Sequence, residues 1–175
     1  MDLSQALENM VQNVVGPFWH LLFAVGGLMA MFYVLNVGYR LMQASRLPGQ
    51  SNVAGGEVIA VLVLAAVLLQ FGSFLNKVSG SLGMGAMTYG AIDYPGAASF
   101  GKLAPAINAV LTIGAMAGGI YAFRGVLMWI RASTGGGHAG QDLGWKGFTH
   151  VFGGACMVNI VQLLEHLRQS TGGLW

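Results

Sequence analysis

Five cations gather in two short stretches: Arg40 and Arg46 in one, Arg124, Arg131 and Lys146 in the other. Guanidinium groups present paired N–H donors that suit phosphate oxygens. An arginine set among apolar residues, as Arg124 is before Val126–Ile130, must snorkel, find a partner, or face water or lipid headgroups. Three roles are therefore open to Arg40, Arg46, Arg124, Arg131 and Lys146: interfacial anchors, the lining of an oligomeric lumen, or a seat for phospholipid phosphates. The remaining reactive side chains do not assemble into a catalytic pattern. His20, His138, His150 and His166 are scattered and lack the Cys or carboxylate spacing of a metal site, so no metal and no cofactor are expected apart from bound phospholipid. Six acidic residues offer no paired general acid and base. Gly135-Gly136-Gly137 lacks the following Gly-Lys-Ser/Thr of a phosphate loop and reads as a turn. The single Cys156 sits among Gly153, Gly154 and Ala155 and reads as a small buried residue. The chain is expected not to be an enzyme.

The elements that carry these groups are hydrophobic. Of 175 residues, 55% are apolar and only 8% charged, against about 25% charged in soluble proteins. So few charges cannot clothe a water-soluble surface, whereas a bilayer favours such a composition. A net charge of +2 is too small to argue for nucleic-acid binding, and no sequence-specific contact to nucleic acid is expected. Apolar runs cover Phe18–Tyr39, Val58–Leu75, Pro105–Phe123 and Phe148–Leu164. The first and third each end in an aromatic residue and arginine, Tyr39-Arg40 and Phe123-Arg124, followed by a Gly-rich stretch and the next run. Gly27-Leu28-Met29-Ala30 also matches Gly114-Ala115-Met116-Ala117, although in a different register from the arginines, so aligning the halves needs a small gap. The pattern predicts an all-α membrane protein of four transmembrane helices, arranged as two tandem hairpins.

Residues 1–16 space Leu3, Leu7, Met10, Val11 and Val14 as an amphipathic helix, and Gly16-Pro17 is expected to separate it from the first span. The organisation is then 17–76 for the first hairpin, 77–104 for a Gly-rich linker with a turn at Asp93-Tyr94-Pro95-Gly96, 105–168 for the second hairpin, and 169–175 for a tail. Trp19 is placed as an interfacial anchor. Without Lys or Arg ahead of the first apolar run, that run is expected to stay in the mature chain. Gly114 with Gly118, and Gly26 with Ala30, form small-residue steps suited to close helix packing. Asn36, Gln70, Asn108, Asn159 and Gln162 are expected to make hydrogen bonds between helices. Counting Lys and Arg, five lie in the elbows and three on the other side (Lys77, Lys102, Arg168), which puts the elbows in the cytoplasm and both termini outside.

The stretches Arg40–Glu57 and Arg131–Lys146, each flanked by apolar helices, resemble the helix, basic loop, helix plan of conjugative pilins, here in tandem. Over most of the chain, the length and four-span layout look most like the TraQ family of I-type conjugative plasmids and its relatives IcmC and DotE of the Dot/Icm type IVB secretion system. The resemblance implies a structural subunit of the bacterial inner membrane that assembles with itself and with other conjugation or secretion components, for DNA or protein transfer. It leaves open a stationary channel component or a pilus subunit in an extracellular filament, since two hairpins replace the pilin's one. A stand-alone small oligomeric channel or transporter is the alternative reading of the same tandem pattern.

Overall fold

A computed structural model describes residues 3–46, 54–134 and 138–172. Residues 47–53 of the first elbow and the Gly135–Gly137 stretch lie outside the described residues. The described chain is all-helical: α1 (Leu3–Arg46), α2 (Gly55–Leu69), α3 (Phe71–Ser81), a 3-10 segment (Pro95–Leu103), α4 (Ala104–Thr134), α5 (His138–Val158) and α6 (Ile160–Ser170). Helices α1 and the Pro95–Thr134 run are each long and apolar enough to cross a membrane. The pairs α2–α3 and α5–α6 pass the same test together, but are bent by 92° and 80°, so the candidate spans number from two to four.

The first difference from the sequence expectation is at Gly16-Pro17, where no helix ends. Pro17 lies inside the 44-residue α1. Proline forfeits one backbone hydrogen bond and crowds the preceding turn, at about 3 kcal/mol. Val11, Val15 and Trp19 follow one another at four-residue spacing and are all buried, so the helix gains a continuous packed face across the proline. Trp19 is thereby an interior residue, 3% exposed, and not an interfacial anchor.

The bends share one construction. At Gln70 the backbone takes φ −113° and ψ 40°, and at Asn159 φ −103° and ψ 34°. Each is followed by an 11-residue helix, and the same interval of sequence that separates Gln70 from Asn159 separates Gly83 from Gly172, both left-handed at φ +73° and +68°. The first arms match in a register other than Gly27 with Gly114. Gly26 approaches the Leu68 carbonyl and Gly118 approaches Met157, which stand at equivalent places before the two bends. Small residues recur so often in these helices that sequence alone does not choose the register; the facing helix does.

Contacts divide the chain into two compact units that do not coincide with the hairpins: Met1–Leu22, Leu75–Ala122 and Phe152–Trp175 in one, Phe23–Phe74 and Phe123–Val151 in the other. In the first, Gly118 and Gly154 bring α4 and α5 into backbone contact: a Cβ on Gly118 would lie 2.8 Å from the Gly154 oxygen. Trp19 packs edge-on to Tyr89, with ring centroids 5.0 Å apart, and covers Gly119. In the second unit Phe71 is buried between the edges of Phe23 and Phe123. There Gly125 meets Gly147, and the Trp129 indole N–H donates to the Gly144 carbonyl at 3.0 Å.

Candidate functional site

All five elbow cations belong to the second unit, where the carboxylates are Glu57 and Asp142. Arg40 pairs with Glu57, which lies in the first turn of α2 and so also complements the helix N-terminus. Arg46 and Arg131 end α1 and α4 and are exposed, as are Arg124 and Lys146. A basic unit with four exposed cations can hold anionic headgroups, since each cation near such a surface contributes about 1 kcal/mol. Of the small-residue positions, Gly118 faces α5, Gly26 faces α2 and Ala30 is fully buried, while a Cβ on Gly114 would meet nothing within 4 Å. The described His, Cys, Asp and Glu residues form no group able to hold a metal ion.

The polar residues of the apolar runs build a second feature, in the first unit. Between α3 and the 3-10 segment the chain runs as an irregular strap, residues 82–94, and helix side chains hold its backbone. The Met87 N–H donates to Asn76 Oδ1 (2.9 Å), the Ile92 N–H to Thr112 Oγ1 (3.0 Å) and the Tyr94 N–H to Asn108 Oδ1 (3.1 Å). Asn108 Nδ2 donates in turn to Asp93 Oδ1 at 3.1 Å. At the α5–α6 bend, Asn159 Nδ2 donates to Ser79 Oγ (2.6 Å) and to the Met84 carbonyl (2.7 Å). Gln162 lies against Gly85, whose φ of +62° only glycine takes easily. Asn159 thus bonds α3 through Ser79, as expected of a bond between helices, and the strap through Met84; Asn108 bonds the strap, while Asn36 and Gln70 are exposed. The reason is that an irregular backbone lacks the internal ladder of a helix, so neighbouring side chains supply its partners. Asn76 and Thr112, passed over in the sequence, carry two of these bonds. Their signal was present: short polar side chains, one just after the Val58–Leu75 run and one within Pro105–Phe123, near a Gly-rich stretch. The turn there forms one residue later than expected, with the Ala97 N–H on the Tyr94 carbonyl at 2.9 Å.

A cavity of about 290 Å³ opens between strap and bend, lined by Thr88, Ala91, Ile92, Asp93, Val158, Asn159, Val161 and Gln162. Beside Trp19, burial pushes the Tyr89 phenol up to about 12. Because the fold favours the neutral phenol, this stabilisation is complete below the free tyrosine value of about 10 and is lost as pH rises through 12. Phenolate absorbance from Tyr89 should therefore appear roughly two pH units later than from free tyrosine. Spectrophotometric titration of the wild type against Tyr89→Phe checks this; a difference spectrum centred near pH 10 would contradict it.

Compared with protein-family models, curated proteins and solved structures, the chain matches none of them.

Proposed function

We propose that the chain is a non-enzymatic structural subunit of a conjugative transfer or type IVB secretion apparatus in the bacterial inner membrane. In this reading it forms two tandem hairpins with four spans, has cytoplasmic elbows and periplasmic ends, and self-associates into a channel or pilus-type assembly. The observation that carries the reading is the division of surface. Glycine contacts close the packing of α4 on α5, while Leu21, Leu28, Met31, Phe32, Leu35 and Met42 of α1 stay exposed to lipid or to a neighbouring subunit. The elbow cations then face anionic phospholipid on the cytoplasmic side. A stand-alone channel or transporter is the second reading, favoured by the bend at Asn159 and the irregular strap that lines the cavity, an arrangement seen in broken-helix transporters.

Deleting the gene should abolish plasmid transfer or protein secretion, with rescue by the wild type. Arg124→Gln with Arg131→Gln should insert normally but fail to rescue, and should retain less anionic phospholipid after detergent extraction, at about 1 kcal/mol per cation removed. Full rescue by the double variant would reduce these residues to topology anchors, and transfer unaffected by the deletion would leave the transporter reading in its place.

A further inference from the structure

The two bends are built alike but covered differently. At the second, Val158 is 3% and Asn159 6% exposed, because the end of α3 and the start of the strap lie across them. At the first, the equivalent residues are Leu69, 57% exposed, and Gln70, also exposed. Ser73, which stands where Gln162 meets Gly85, is exposed as well. The backbone angles of the two bends agree within about 10°, as quoted above, so local conformation does not account for the difference. The inner side of the first bend is packed, with Leu68 and Phe71 buried; what it lacks, among the described residues, is a cover over its outer side at Leu69, Gln70 and Ser73. Lipid tails suit Leu69, but they offer nothing to the Gln70 amide and the Ser73 hydroxyl, which need polar partners within an apolar element.

The fold supplies the shape of that partner. Within the chain, the second bend is covered by the end of an 11-residue helix, α3, and by the turn at left-handed Gly83. Helix α6 has the same length and leads to left-handed Gly172 at the matching position. We propose that the end of α6 in a second copy of this chain seats on the α2–α3 bend, repeating between chains the contact that α3 makes on the α5–α6 bend within one. The residue on α6 that stands where Ser79 stands on α3 is Arg168, which pairs with Glu165 at 3.5 Å and whose side chain is 43% exposed. Its guanidinium, which has N–H donors beyond those facing Glu165, donates to the Gln70 amide oxygen. Each chain then offers the outer side of one bend and one exposed helix end. Such a contact is heterologous and propagates head to tail, closing into a ring or extending as a filament. The inference rests only on the self-association in the proposed function, not on the transfer role.

Disulfide trapping in native membranes tests it. Two differently tagged chains, both Cys156→Ala, are co-expressed, one with Gln70→Cys and the other with Arg168→Cys. A third chain carrying Ser79→Cys and Asn159→Cys reports whether the oxidant closes the equivalent contact inside one chain. The expected result is a disulfide-linked heterodimer, no homodimer of either variant, and a ladder of multimers when one chain carries both Gln70→Cys and Arg168→Cys. Closure of the control pair without the heterodimer would overturn the proposal and assign the bend to lipid or to another protein. A Gln70→Cys homodimer would overturn it in favour of a two-fold interface. Head-to-tail trapping combined with intact transfer in the deletion strain would refute the transfer role while leaving the assembly standing.

Discussion

Gly154→Val should destabilise the chain by about 3 kcal/mol, the upper part of the range for overpacking a close-fitted interior. A Cβ at this position would sit 2.5 Å from the Gly118 oxygen and 2.6 Å from the Ala122 nitrogen, and neither backbone atom can swing aside as a side chain could. At about 2–4 °C per kcal/mol for a chain of this size, the melting temperature of the detergent-solubilised protein should fall by roughly 6–12 °C. Gly114→Val is the control, because its Cβ would meet nothing within 4 Å. Its melting should stay close to wild type apart from the small helix-propensity change. Thermal unfolding followed by circular dichroism separates the two, and equal melting temperatures would refute the α4–α5 contact.

Asn159→Leu should loosen the strap before it unfolds the chain. The substitution keeps the side chain's approximate size but removes the donor to Ser79 Oγ and to the Met84 carbonyl, both in the buried part of the first unit. Leaving a buried acceptor without its donor costs about 1–3 kcal/mol. The Ser79 hydroxyl keeps its own bond to the Gly85 carbonyl at 2.9 Å, so most of the loss falls on Met84. Amide hydrogen exchange should therefore accelerate at Met84, Met87 and their neighbours by about tenfold or more, with smaller changes in α4. Gln70→Leu, at the exposed counterpart, should leave exchange within the monomer unchanged. Equal protection of the strap in wild type and Asn159→Leu would show that the amide does not hold it.

Much of the architecture was legible in the sequence because it depends on composition and run length. The scarcity of charge and the apolar runs identify helices long enough for a membrane, and Pro105 falls in the first turn of α4, where proline is tolerated. The bends were not legible, because asparagine and glutamine do not break helices by propensity alone. Gln70 and Asn159 looked like polar interruptions of straight spans, and only the packed structure shows the chain turning at each. Pro17 misled in the opposite direction: a local penalty was outweighed by burial at Val11, Val15 and Trp19, spread over three turns. The candidate site divided likewise. The clustering of cations was visible by counting, whereas the strap's hydrogen bonds link residues as far apart as Met84 and Asn159, which no local pattern connects.

The length of α1 carries a mechanical consequence. Forty-four residues make a rod of about 66 Å, roughly twice the thickness of a bilayer's hydrocarbon core. At the tilts of up to about 40° usual for membrane helices, a spanning α1 would leave part of its length clear of the hydrocarbon core. Its backbone hydrogen bonding is interrupted at Pro17, where the Asn13 carbonyl is left without its usual helical donor. Flexure under load should therefore concentrate within one turn of that residue, making α1 a jointed lever instead of a uniform spring.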